Sequence, residues 1–189
     1  MIRIALVGGI GSGKTFISNL FGYPVFNADE SVSKIYSDNK KIFYKLQKRL
    51  PKFFTDPPIK KEELIKAIVK NKNNLNIISK IVHPEVRKDL QKFIKKHNKK
   101  KAIVLDIPLL LENKLNKKKD VIIFIQSPKT EVFKRLKKRK NFNNLVFQQL
   151  KKIQLPPDMK KKHSHYVIKN NFKKESVRKN VKDIVNKIL

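Results

Sequence analysis

An eight-residue stretch, Gly8-Gly9-Ile10-Gly11-Ser12-Gly13-Lys14-Thr15, follows directly on the apolar run Ile2–Val7 and narrows the possible folds more than any other part of the chain. Glycine, any four residues, then Gly-Lys-Ser/Thr is the pattern of a loop that turns several backbone N–H groups inward on a polyphosphate. Its glycines adopt backbone angles that a side chain would obstruct. Lys14 is placed to bridge the outer phosphates and the Thr15 hydroxyl to meet magnesium. The helix that starts there adds its positive dipole end. A glycine-rich turn between strand and helix can also be simple punctuation, but here the context the motif requires is present. A β-branched strand precedes it, and a helical stretch, Lys14–Phe21, closed by Gly22, follows.

That first run is almost continuously apolar, as expected of a strand covered on both faces in a parallel sheet. Comparable runs recur at Pro24–Asn27, Ala102–Ile107, Val121–Ile125 and Tyr166–Ile168, separated by helical patterns. The alternation requires right-handed crossovers and a mainly parallel five-stranded sheet, an α/β fold. From Ser37 to Lys100 the pattern turns helical, with Ile42, Phe43, Leu46 and Leu50, then Leu64, Ile65, Ile68 and Val69, at spacings of three and four, broken by Thr55 to Pro58. Pro128 begins another helix, which carries Arg135 and Arg139. Lysine-laden residues 140–165 read as a mobile lid or as a solvated helical hairpin, and Lys174–Leu189 reads as an amphipathic closing helix. The organisation expected is a single domain over 1–189: a core of 1–29, 101–139 and 166–189, a helical insertion over about 30–100 and a lid over about 140–165.

Charge raises a competing reading. The formal net charge is +31 at pH 7, which taken alone would suggest a polyanion partner such as nucleic acid. Yet lysines appear in nearly every segment and only six of the 46 basic residues are arginine, so the excess reads as compositional background that still attracts anionic substrates. The longest apolar segment, Ile103–Leu111, is interrupted by Asp106 and Pro108 and is too short to span a bilayer, and no cleavable leader is visible. A cytoplasmic monomer is the expectation. Without cysteine there is no disulfide, thiol nucleophile or cysteine zinc site. His163 and His165 lie two apart without neighbouring carboxylates, so no metal site is read there.

Two residues carry open alternatives. Asp29 follows the second strand at its carboxyl end, where open α/β sheets bind ligands, and can serve as general base toward a substrate hydroxyl, hold magnesium through water, or cap the helix Glu30–Tyr36. In Val82-His83-Pro84-Glu85-Val86-Arg87, Pro84 suits the first turn of a helix with Arg87 one turn along, and His83 reads as a cap.

Taken together, the motifs resemble the dephospho-coenzyme A kinase family, a branch of the nucleoside-monophosphate-kinase-like P-loop proteins. The resemblance runs through LVGGIGSGKT at Leu6–Thr15, FNAD at Phe26–Asp29, IVHPEVR at Ile81–Arg87, LDIPLLLE at Leu105–Glu112, KRLKKR at Lys134–Arg139, QLPPDMK at Gln154–Lys160 and YVIKNN at Tyr166–Asn171, which span essentially the whole chain. It implies a three-layer α/β/α P-loop fold and transfer of the ATP γ-phosphoryl group, with magnesium, to the ribose 3'-hydroxyl of dephospho-coenzyme A. On that resemblance Gly9, Ile10, Gly11, Ser12, Gly13, Lys14, Thr15 and Phe16 bind the nucleotide, Thr15 the metal, and Asp29, Lys14 and Arg139 act in catalysis. Asp29, His83, Pro84, Arg87, Leu109 and Glu112 line the acceptor side.

Four positions depart from the family pattern. Thr15-Phe16 stands where the family has Ser-Thr, Leu150 where it has a lid arginine (with Lys151 and Lys152 beside it), Ser164-His165 where it has Ala-Asp, and Lys61 where it has arginine. Lysine offers a point charge rather than a planar fork, so weaker lid closure and a drifted enzyme are implied. The competing readings are another metabolite or nucleotide kinase of this architecture and a basic nucleic-acid-binding protein.

Overall fold

The computed structural model describes residues 1–139 and 142–189; residues 140 and 141, which open the expected lid, lie outside the described residues. Five strands form one sheet: β1 (Ile2–Gly8), β2 (Val25–Asn27), β3 (Ala102–Asp106), β4 (Val121–Gln126) and β5 (Tyr166–Lys169), in the order β2-β3-β1-β4-β5. Every pairing is parallel, with Ile4 opposite Val104 on one side and Val121 on the other. The helices are α1 (Lys14–Leu20), α2 (Ala28–Asp38), α3 (Lys40–Arg49), α4 (Lys61–Lys70), α5 (Lys72–Lys96), α6 (Lys129–Lys137), α7 (Asn144–Lys152), α8 (Pro157–Lys162) and α9 (Lys174–Ile188). The all-parallel sheet is what the alternation required, and the three-layer α/β/α architecture is the one the family resemblance implied. Among the described residues no helix is long and apolar enough to cross a membrane.

The chain divides into two compact units. The first, Met1–Asn27 with His97–Phe142 and Leu150–Leu189, holds the sheet. Its apolar centre joins Ile4 and Leu6 of β1, Val104, Ile123, Ile125 and Ile168 to Ile17 and Phe21 near α1 and to Val177, Val181 and Ile184 of α9. Alternate residues Ala5, Val7, Ile103 and Leu105 are buried as well, so the central strands are covered on both faces, which is why they read as unbroken apolar runs. At the sheet's lower end the Arg3 guanidinium pairs with buried Asp120 at 3.0 Å, and Asp120 also accepts from the Lys117 amide at 2.8 Å. His165, just before β5, accepts from the Ile122 amide through Nδ1 at 3.0 Å and returns its own amide to the Ile122 carbonyl, so it clasps the start of the strand.

The second unit, Ala28–Lys96 with Asn143–Gln149, is helical. Ile35, Ile42, Phe43, Leu46, Phe54, Leu64, Ile68, Ile78 and Val82 form its centre, with Val146 packed against it. Ser31 of α2 donates to Asp89 of α5 at 2.8 Å, and Gln149 Nε2 donates to the Ile68 carbonyl at 3.1 Å. Two local expectations are corrected here. Pro84 does not open a helix and His83 does not cap one, because α5 runs from Lys72 to Lys96 with Pro84 inside it. Proline cannot donate to the carbonyl four residues back, but the buried Ile78, Val82 and Leu90 on either side hold the helix through that gap by packing. Asp29 is likewise not a cap; α2 starts at Ala28 and Asp29 lies in its first turn.

Candidate active site

Within the sheet unit, β1 delivers the glycine loop and α1 leaves it. Gly11 and Gly13 adopt φ of 78° and 89°, in the left-handed region that glycine enters without strain. Contacts enforce the same choice. A Cβ on Gly13 would stand 2.5 Å from Asn170 Nδ2, and one on Gly11 within 3.1 Å of Leu136 and Val132. The Ser12 carbonyl is taken by two donors, Ser127 Oγ at 2.9 Å and Asn170 Nδ2 at 2.8 Å. Because a trans peptide points its C=O and N–H in opposite directions, pinning that carbonyl turns the Gly13 amide to the other side, as an anion nest requires.

Lys14 is 8% exposed, and its ammonium donates to the carbonyls of Gly9 at 2.9 Å and Gly8 at 3.2 Å. The charge is thereby held on the loop instead of ranging through solvent. Ser12 Oγ is buried and has no hydrogen-bond partner among the described residues, so it remains a donor within the loop. Phe16, on the first turn of α1, is exposed.

Thr15 Oγ1 donates to Asp106 Oδ2 at 2.6 Å, and Asn27 Nδ2 reaches the same oxygen at 3.3 Å. Asp106 is 3% exposed and ends β3, the strand next to β1, so the sheet register carries it to the loop's end of the sheet. A hydroxyl beside a carboxylate is a set of hard oxygens of the kind magnesium accepts alongside water and phosphate. Asp106 is the residue that motif reading overlooked. The signal was available: an acidic residue closing an apolar strand, Ala102–Asp106.

Leu109 and Glu112 occupy the turns after β3. Glu112 accepts from the Leu155 amide at 2.9 Å and pairs with the buried Lys160 ammonium at 2.8 Å, so it ties these turns to α8. Arg139 follows α6 and is exposed, while Leu150 lies half-buried in α7 with Lys151 and Lys152 exposed beside it.

In the helical unit, Asp29 sits in the first turn of α2, and His83, Pro84 and Arg87 lie together on α5. Burial first, and the Arg87 guanidinium one turn along second, hold the His83 imidazole below its ordinary value. A neutral ring at that place can accept a hydrogen bond as well as donate one.

Comparison with known proteins identifies the family. A family model described as dephospho-CoA kinase matches residues 2–175. Proteins named dephospho-CoA kinase from Wolbachia pipientis wMel and from Wolbachia sp. subsp. Brugia malayi (strain TRS) are 34% and 36% identical to this chain, covering 98% of it and 97% of each relative. A crystal structure from Thermus thermophilus superposes with a TM-score of 0.79 at 24% identity, covering 100% of this chain and 98% of that one, which supports the fold alone. The chain belongs to the dephospho-CoA kinase family and is a kinase of P-loop architecture.

Proposed function

We propose that this enzyme transfers the γ-phosphoryl group of ATP to the ribose 3'-hydroxyl of dephospho-coenzyme A, releasing coenzyme A and ADP. The observation that carries the reading is the glycine loop with the Lys14 ammonium held on it and the Thr15 hydroxyl 2.6 Å from Asp106. Phosphoryl transfer asks for alignment and charge neutralisation more than for covalent help from the protein. Loop amides and Ser12 Oγ receive the phosphate oxygens, and Lys14 follows the charge that builds on the transferring group. Thr15 and Asp106 would hold magnesium, which supplies positive charge to the phosphate oxygens when bound. Asp29 takes the proton of the acceptor hydroxyl, and Arg139 adds a cation to the transferring phosphate. His83, Pro84, Arg87, Leu109 and Glu112 form the acceptor side; Glu112 does so by fixing the turn that carries Leu109.

A coupled ADP-release assay over a panel of hydroxyl acceptors tests the substrate. Dephospho-coenzyme A should give turnover while free nucleosides, shikimate and sugars give none, and preference for any of those would replace the acceptor proposed here. In the same assay Asp29→Asn should bind ATP as the parent does and lose about two orders of magnitude in turnover, the usual effect of removing a positioned base. Unchanged turnover would remove Asp29 from the mechanism.

A further inference from the structure

The chain holds three runs of three consecutive lysines, at 99–101, 117–119 and 160–162, all within the sheet unit. The first leads directly into β3, the second is separated from β4 by Asp120 alone, and the third closes α8 with three residues left before β5. Because every strand pairing is parallel, the runs come out together at the end where the strands begin. The sheet order sets them along the row β3-β1-β4-β5. At about 4.8 Å per strand the row is about 15 Å long. The glycine loop leaves the other end of β1, seven residues or about 23 Å away. A uniform excess of lysine would load both ends alike. The residues that leave β1, β3, β4 and β5, at 9–13, 107–116, 127–128 and 170–173, hold only two lysines, Lys114 and Lys173. At the starting end Lys160 turns inward to Glu112, and the other eight lysines of the three runs are exposed. Among the described residues none of these eight pairs with a carboxylate, and the one carboxylate in these segments, Asp120, is buried against Arg3.

Uncompensated cations on a short row fit a polyanion, and the neighbouring residues narrow which one. Segments 97–101, 116–120 and 161–165 contain no phenylalanine, tyrosine, tryptophan or aliphatic side chain. A single nucleic-acid strand is held by stacking its bases on such rings, and a bilayer surface is gripped by apolar side chains inserted beside the charges. Neither device is present in these segments. Lysine supplies point charges for phosphates and lacks the planar fork that reads base edges. We propose that this end of the sheet is a docking surface for the phosphate backbone of duplex DNA, bound without regard to sequence and with the glycine loop left open to substrate. A duplex carries one charge per about 1.7 Å of its axis, so about nine phosphates span the row; with about half of them facing the protein, about four are neutralised.

Fluorescence anisotropy of a labelled random-sequence DNA duplex, titrated with the full chain across a sodium chloride series, tests the surface. For the parent, the logarithm of the binding constant should fall with the logarithm of salt concentration at a slope of about −4. The triple variant Lys117→Gln, Lys118→Gln, Lys119→Gln should lose at least about tenfold in affinity and about two in slope. It should melt no lower than the parent and keep its kcat, because the three side chains are exposed and distant from the glycine loop. The matching triple at 99–101 should behave in the same way. Lys41→Gln, Lys45→Gln, Lys48→Gln removes equal charge from exposed positions of α3 and should bind DNA as the parent does. An equal loss in this control overturns the docking surface, since binding would then follow net charge alone. A parent slope shallower than about −2 overturns it as well. So does capture of the parent by phosphatidylserine–phosphatidylcholine vesicles in preference to the duplex at the same salt, which would make the partner a lipid surface.

Discussion

Gly13 answers to two constraints at once, a φ of 89° and the 2.5 Å approach of Asn170 Nδ2 to any added Cβ. In Gly13→Ala the Asn170 amide must move, so the Ser12 carbonyl loses one of its two donors and Ser127 Oγ alone is left to hold the loop peptide with its oxygen turned away from a phosphate. A stability loss of about 1–3 kcal/mol in urea titration is expected from strain of this kind, together with a loss of ATP affinity of more than about tenfold. Parent-like ATP affinity in the variant would mean that loop shape does not bind phosphate. His83 gives a second residue-scale expectation. Its folded-state value lies below the ordinary 6.5, so over that interval the unfolded chain binds more protons than the folded one. Stability should then rise with pH through the window below 6.5 and be lost as pH falls through the lowered folded value, as charge is forced onto the half-buried ring beside Arg87. Urea midpoints measured across that window should slope less in His83→Gln than in the parent, and equal slopes would assign the acid sensitivity to other groups.

At the scale of elements, the Glu112–Lys160 pair joins the turns after β3 to α8, and the two side chains are only 10% and 2% exposed. Removing one partner of a buried pair strands the other charge, so Glu112→Gln should destabilise by about 3–5 kcal/mol, whereas the doubly apolar Glu112→Leu with Lys160→Met should recover most of that loss. A single variant as stable as the parent would show that the pair is solvated in solution. This contact was not legible in the sequence, where Glu112 and Lys160 ended separate motifs 48 positions apart with nothing to relate them. The three central strands were legible because burial on both faces leaves continuous apolar runs, and all five strands were found to within a residue or two. The glycine loop was legible because backbone angle dictates residue type. Asp106 escaped because one carboxylate at a strand end gains its meaning from sheet order, which places β3 beside β1. Pro84 misled because local propensity favours a helix start while the buried flanks of α5 favour continuation.

For the whole molecule the formal charge of +31 at pH 7 is a single field with two opposed consequences. Like charges repel across the folded surface, which weakens the compact state, and the same excess draws anionic substrates toward the loop. Raising ionic strength from about 10 mM to about 150 mM shortens the screening length from about 30 Å to about 8 Å and weakens both effects together. In a sodium chloride series at fixed pH the melting temperature should therefore rise, by about 2–4 °C for each kcal/mol of repulsion removed in a chain of this size. Over the same series the KM for ATP should increase severalfold with kcat little changed, because screening acts on encounter and binding while the bound phosphates remain within the loop. The opposite signs make the pair of measurements decisive. A melting temperature that falls with salt would show that the lysines are held in stabilising pairs, and a salt-independent KM would show that the charge excess has no bearing on substrate capture.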